Sequence, residues 1–105
     1  MSKVTKEVHS LGIIYYKKDG VFHREDGPAV IYPDGSKSWY LNGVLHNEKG
    51  PALIDSSGGF WALHGIECTE EEVQKIDYLR KCPKEELPKY MNNPLYKEVI
   101  RDRLE

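Results

Sequence analysis

The sequence has no long apolar run, no excess of either charge and almost no sulfur. Its 105 residues carry 15 basic and 17 acidic side chains, a formal net charge of −2. The balance holds along the chain, with 7 basic against 8 acidic in residues 1–68 and 8 against 9 in residues 69–105. Neither part has the basic excess that a protein uses to neutralise duplex phosphates, so duplex nucleic acid is not an expected partner. No stretch approaches the ~20 apolar residues of a membrane span. Residues 1–9, Met-Ser-Lys-Val-Thr-Lys-Glu-Val-His, show no apolar core of a secretory signal. Cys68 and Cys82, with 13 residues between them, have no second pair to complete a zinc site. The expectation is a cytoplasmic, reducing setting with free thiols, since a disulfide between them needs an oxidising compartment. Catalytic signatures are missing as well: no Ser-centred nucleophile elbow, no glycine-rich phosphate loop before a helix, no paired metal motif. No catalytic residue, metal ligand or cofactor is assigned.

What the chain does have is internal repetition. Gly20-Val-Phe-His-Arg-Glu-Asp-Gly-Pro-Ala29 returns as Gly43-Val-Leu-His-Asn-Glu-Lys-Gly-Pro-Ala52, an offset of 23. A third, decayed copy follows at an offset of 22, where Trp61-Ala-Leu-His-Gly65 echoes Trp39-Tyr-Leu-Asn-Gly43. Fixed-period similarity of this length marks a stacked supersecondary unit.

Asp19-Gly20, Pro33-Asp34-Gly35, Asn42-Gly43, Ser57-Gly58 and His64-Gly65 punctuate the chain at short intervals, and the Asn-Gly and Asp-Gly pairs supply the positive φ angles of tight hairpin turns. Between the turns lie runs suited to a pleated surface: Leu11–Lys17, Val21–His23, Ala29–Tyr32, Lys37–Leu41, Val44–His46, Ala52–Ile54 and Gly59–Leu63. Alternation puts Trp39 and Leu41 on one face, in a column with Tyr16, Trp61 and Leu63, and turns Ser38 and Tyr40 to the other. That column reads as the hydrophobic core. After Cys68, Thr69-Glu70-Glu71-Glu72 forms a capping box that opens a helix to about Lys81, with Val73, Ile76, Leu79 and Arg80 inward. Pro83 stops it and starts a short helix to Tyr90; Asn93-Pro94 starts a third over Leu95–Leu104. The fold class is therefore α+β: an antiparallel meander of about 2.5 copies of a ~23-residue unit, then two or three helices. As one domain, residues 1–10 are loosely held, 11–68 form the meander, and 69–105 pack helices on the sheet. Open sheet edges point to a homodimer or to an edge capped by Leu11–Lys17 and the helices.

The elements Trp39-Tyr-Leu-Asn-Gly43 and His23-Arg-Glu-Asp-Gly-Pro-Ala29, with Gly65-Ile-Glu-Cys-Thr-Glu-Glu-Glu72 closing the array, resemble a repeat family of small bacterial and bacteriophage proteins. That family is similar to variant MORN repeats, β-hairpin modules of protein–protein and sometimes membrane association. The resemblance spans residues 15–72. It implies a repeat framework and, for a phage protein, a host protein that is inhibited or redirected in the host cytoplasm. The second copy departs from the pattern at Asn47 and Lys49, the third at Ala62 and His64, and residues 83–105 lie outside it.

His23 and His46, one per copy and recurring with Glu25 and Glu48, read as structural: each ring bonds a turn backbone, with Glu or Asp closing the same loop through backbone amides. Trp39, Trp61, Gly27 and Gly50 join them as residues of the repeat framework. The seven tyrosines exceed what so small a core can bury. Exposed Tyr near Arg is typical of binding hot spots, which makes Tyr15, Tyr32, Tyr40, Tyr90, Tyr96 and Arg103 the candidate partner-binding residues. The expected function is a non-enzymatic protein-interaction module. The alternatives are a single-strand nucleic-acid binder that stacks bases on tyrosines, and a small hydrolase that uses the repeat histidines.

Overall fold

The computed structural model describes residues 3–105. It is α+β, a strand meander followed by helices. The strands are β1 (Thr5–Val8), β2 (Ile14–Lys18), β3 (Val21–Phe22), β4 (Val30–Ile31), β5 (Lys37–Ser38), β6 (Tyr40–Leu41), β7 (Val44–Leu45), β8 (Leu53–Asp55), β9 (Gly58–Phe60), β10 (Ala62–Leu63) and β11 (Ile66–Glu67). Helix α1 (Glu70–Lys81), a 3-10 helix (Lys84–Tyr90) and helix α2 (Lys97–Leu104) complete the chain. The main sheet runs β1-β2-β4-β5-β8-β9, all neighbours antiparallel, with β3 folded back on the end of β2. Directly opposed residues share a face. One row across the sheet is Tyr15, Val30, Ser38, Leu53 and Phe60; the row behind it, on the other face, is Ile14, Ile31, Lys37, Ile54 and Gly59.

The expected strands Lys37–Leu41 and Gly59–Leu63 are each broken at the tryptophan, because the chain changes partner there. Trp39 donates its N–H to Ala52 O in the main sheet (2.7 Å), while its carbonyl accepts from His46 N in a side hairpin (3.0 Å). Tyr16 does the same one copy earlier, to Ala29 O and from His23 N. Trp61 accepts from Cys68 N at 3.0 Å. Each copy thus splits into a sheet half and a hairpin half. The hairpin turns have positive φ at both central residues, Asp19-Gly20, Asn42-Gly43 and His64-Gly65, as a type I′ turn requires. The hairpins stack tip on tip: Gly43 N donates to Phe22 O and Gly65 N to Leu45 O, both at 2.8 Å. The N-terminal stretch is more ordered than the sequence suggests. Thr5–Val8 pairs along its whole length with β2 and forms the sheet edge in place of Leu11–Lys17, whereas residues 1 and 2 lie outside the described residues. Its Lys6 and Glu7 put charge on that edge.

The core does not follow the aromatic column. Tyr16 and Trp39 are only half-buried. The contiguous core lies in the C-terminal third, where Leu63 meets Val73, Ile76, Leu79, Cys82, Leu87, Leu95, Tyr96, Val99 and Ile100, with Trp61, Cys68 and Tyr90 packed on its border. Each aliphatic side chain buried there contributes about 1.5–3 kcal/mol. The fully buried positions in and just before the main-sheet strands β4 and β8 are small by comparison: Ala29, Val30 and Ala52. Thr69 caps α1 as expected, accepting from Glu72 N while Glu72 accepts from Thr69 N. Arg80, expected inward, is exposed and reaches across to the repeat array.

Candidate functional site

The repeat histidines are built into the fold from the copy that follows them. His23 Nδ1 accepts the backbone N–H of Asn42, and His46 Nδ1 accepts that of His64, both at 2.9 Å. Asn42 and His64 are the first positive-φ residues of the next hairpin. An N–H aimed at Nδ1 leaves the ring proton on Nε2. His46 therefore donates from Nε2 to Glu48 at 3.0 Å. His23 lies 3.6 Å from Glu25, whose side chain is 81% exposed. The ring-to-turn bond matches the sequence reading. The glutamates differ from it: they face the histidine of their own copy rather than loop amides.

Glu48 also pairs with Arg80 of α1. The hydrogen bond from His46, reinforced by Arg80 and opposed by burial, holds its carboxyl down at about 2. His64 stacks on His46 with ring centroids 4.5 Å apart and lies 3.8 Å from Glu98 of α2. Burial, then the neighbouring His46, keeps His64 below the ordinary histidine range, against the pull of Glu98 and Glu48. His46 thus joins the second copy to the third, and through Glu48 and His64 the array meets both α-helices.

Each loop after a histidine is braced from within. Arg24 bends back to donate to Pro28 O at 3.2 Å and to Asp26 at 2.9 Å, with its guanidinium 4.0 Å from the Tyr16 ring centre. Asn47 makes the equivalent bond to Pro51 O at 2.8 Å. Gly27 leaves the room this needs, since a Cβ there would sit 3.0 Å from the Arg24 guanidinium carbon. Gly50 serves Asn47 more loosely, at 3.6 Å.

These loops border an open groove in each of the first two copies. In the first copy Tyr16 and Lys18 form the floor, His23 to Asp26 one wall and Val4 and Lys6 the other, around about 580 Å³. In the second, Trp39, Leu41 and Ile54 form the floor, His46 to Pro51 one wall and Arg24 to Gly27 the other, around about 540 Å³. Tyr16/Trp39, Lys18/Leu41 and His23/His46 are equivalent residues, so one groove is repeated. The second is the more apolar. Trp39 and Leu41 do share a face, as alternation predicts, but that face lines a groove instead of filling a core.

The tyrosine candidates scatter. Tyr15 and Tyr40 are half-buried and sandwich Phe22, at centroid distances of 5.1 and 5.3 Å, with His9 on the outer side of Tyr15. They brace consecutive copies. Tyr90 packs edge-on to Tyr96 at 6.0 Å against the core. Tyr96 is buried and donates its hydroxyl to Glu72 O, and burial pushes that phenol up to about 12. Arg103 donates to Leu79 O and Cys82 O and so caps the C-terminal end of α1. Tyr96 and Arg103 therefore leave the list of surface candidates; Tyr32, 40% exposed, stands alone. Cys68 and Cys82 are free thiols. Burial, with Glu72 nearby, raises Cys68. No group of three or more His, Cys, Asp or Glu that could hold a metal occurs among the described residues, and none of their helices is long and apolar enough to cross a membrane. No family model, curated protein or solved structure matches the chain.

Proposed function

We propose that this chain is a non-enzymatic protein-interaction module whose binding surface is the groove of the second copy. The observation that carries the reading is the contrast at one repeat position. Trp39 and Leu41 floor an open groove, whereas their equivalents Trp61 and Leu63 are packed into or against the core. An uncovered Trp-Leu-Ile floor inside a rim of Arg24, Glu25 and Lys49 has the make-up of a hot spot with its polar surround. Both ring nitrogens of His46 are committed to His64 and Glu48, which supports a scaffolding role for that histidine. By its resemblance to small bacterial and phage repeat proteins, the partner is a host protein met in the cytoplasm.

The test is a double change at the exposed rim and floor, Lys49→Glu with Ile54→Glu. Binders selected from a displayed protein library on the wild-type chain are expected to lose at least about tenfold in affinity, the loss of one hot-spot contact. Melting curves should stay close to wild type. Binders that keep full affinity for the double variant would move the interface elsewhere.

A further inference from the structure

The residues that floor the groove recur in the third copy, and there they join the core of the chain's own helices. Trp61, Leu63 and Cys68 stand at the positions of Trp39, Leu41 and His46. Leu63 is fully buried in the helical core, and Trp61 and Cys68 pack on that core. Helix α1 turns Val73, Ile76 and Leu79 into the same core, a stripe at i, i+3 and i+6. Its next residue, Arg80, reaches Glu48, the acid of the preceding copy. The second-copy groove has the same parts and no cover. Trp39 and Leu41 are its floor, and the acid of the preceding copy, Glu25, stands on its wall with an 81% exposed side chain. No basic side chain of the helices pairs with Glu25 among the described residues.

We infer that the second-copy groove receives an amphipathic α-helix of a partner protein, with an aliphatic stripe at i, i+3 and i+6 and an arginine at i+7. The inference rests on the groove being the binding surface and adds the form of its occupant. The stripe lies on Trp39, Leu41 and Ile54, as the stripe of α1 shares one core with Leu63 and its bordering Trp61. The arginine pairs with Glu25 as Arg80 pairs with Glu48. This is helix-in-groove recognition, in which an apolar face supplies affinity and a terminal charge sets register.

The test uses the full-length wild-type chain and follows the two indole N–H signals by NMR. The probes are a lactam-locked 14-residue helix with a Val-Ile-Leu stripe and the arginine, the same helix with Arg→Glu, and an unlocked peptide of scrambled order. The locked helix is expected to shift the Trp39 indole saturably and leave Trp61 in place. Its Arg→Glu form should bind about tenfold more weakly, the loss of one charge-assisted hydrogen bond. Glu25→Arg should restore that form and weaken the original. If the scrambled peptide moves Trp39 as well as the locked helix does, the helical occupant is wrong and the groove reading stands. If no probe moves Trp39 at millimolar concentration, both fail. A Trp39 shift that grows with protein concentration alone would give the groove to a second copy and overturn the inference.

Discussion

Replacing the two histidines one at a time measures the stitch between copies. His46→Ala removes two bonds from a residue only 5% exposed. The bond from His64 N–H is neutral, worth about 1 kcal/mol. The bond to Glu48 is charge-assisted, about 2 kcal/mol, and Glu48 keeps Arg80 after it is gone. The expected loss is ~3 kcal/mol. His23→Ala removes the same neutral bond, from Asn42 N–H. Its partner Glu25 is 3.6 Å away and largely in water, which puts that pair in the range of surface ion pairs, about 0–1 kcal/mol. The expected loss is ~1.5 kcal/mol. With a urea m-value of about 1.5 kcal/mol/M, the midpoint falls by about 2 M for His46→Ala and about 1 M for His23→Ala. Glu48→Gln keeps the ring-to-amide bond and should fall between them. Equal midpoints for the two histidine variants, or the larger loss at His23, would refute the argument that the pairing through Glu48 and Arg80 strengthens the second junction.

Acid should weaken the fold in two windows. Folding lowers His64, so its contribution is full above its ordinary 6.5 and is lost as pH falls below that value. Glu48 is held at about 2 against an ordinary 4.5, so its contribution is full above 4.5 and is lost as pH falls toward 2. After solvent screening it is worth ~1–2 kcal/mol; a protein as stable at pH 3 as at pH 7 in urea melts contradicts this. Trp39 and Trp61 are both half-buried, but only Trp61 packs on the helical core, so Trp61→Ala should cost about 3 kcal/mol and Trp39→Ala less; thermal melts that reverse the order would return Trp39 to the core. Gly20 and Gly43 share φ +82, but a Cβ on Gly43 meets Val21 Cβ at 3.3 Å and one on Gly20 meets nothing. Gly20→Ala should cost the left-handed strain alone, ~1 kcal/mol, and Gly43→Ala about twice that; equal losses would show that the hairpin stack yields freely. Arg103→Ala should cost about 2–3 kcal/mol as two carbonyls at the end of α1 lose their donors, and Arg103→Lys should recover less than half; full recovery by lysine would reduce the residue to a point charge.

The parts of this fold written in local sequence were legible. The Asn42-Gly43 turn, the Thr69 cap and the stripe Val73, Ile76, Leu79 each rest on residues a few positions apart, and each is where the pattern puts it. The His-to-turn bond was legible in kind, because a residue kept in both full copies serves something common to both. What failed were readings that depend on distant partners. Alternation put Trp39 and Leu41 on one face, but which element covers that face is decided by residues 69–105, and these cover only the last copy. Tyr96 and Arg103 carry the composition of a binding surface; nothing near them in sequence says that Glu72 O, Leu79 O and Cys82 O are waiting for their donors. Arg80 meets Glu48 across 32 positions, beyond any local pattern.

The divergence between the two full copies has a physical logic of its own. In the first loop, Arg24 spans to Pro28 O and needs Asp26 to hold its other nitrogen. In the second, Asn47 makes the same proline bond with its amide nitrogen, and its carbonyl oxygen accepts the backbone N–H of residue 49. The side chain at that place no longer holds the loop, and there the chain carries Lys49, a reversal of charge. Arginine with aspartate and asparagine with lysine are two ways to brace one loop, and they leave opposite charges on the rim. The main-chain frame around His23 and His46 stays constant while one loop position reverses its charge, Asp26 in the first copy and Lys49 in the second. A partner helix in the second groove meets Glu25 and Asp26 on one wall and Lys49 on the other, a polarity that the first groove, walled by Lys6 opposite Glu25 and Asp26, shares in sign but builds from a different strand. The apolar floor separates them: Leu41 stands where the first copy has Lys18, and an aliphatic stripe finds desolvation only on Leu41.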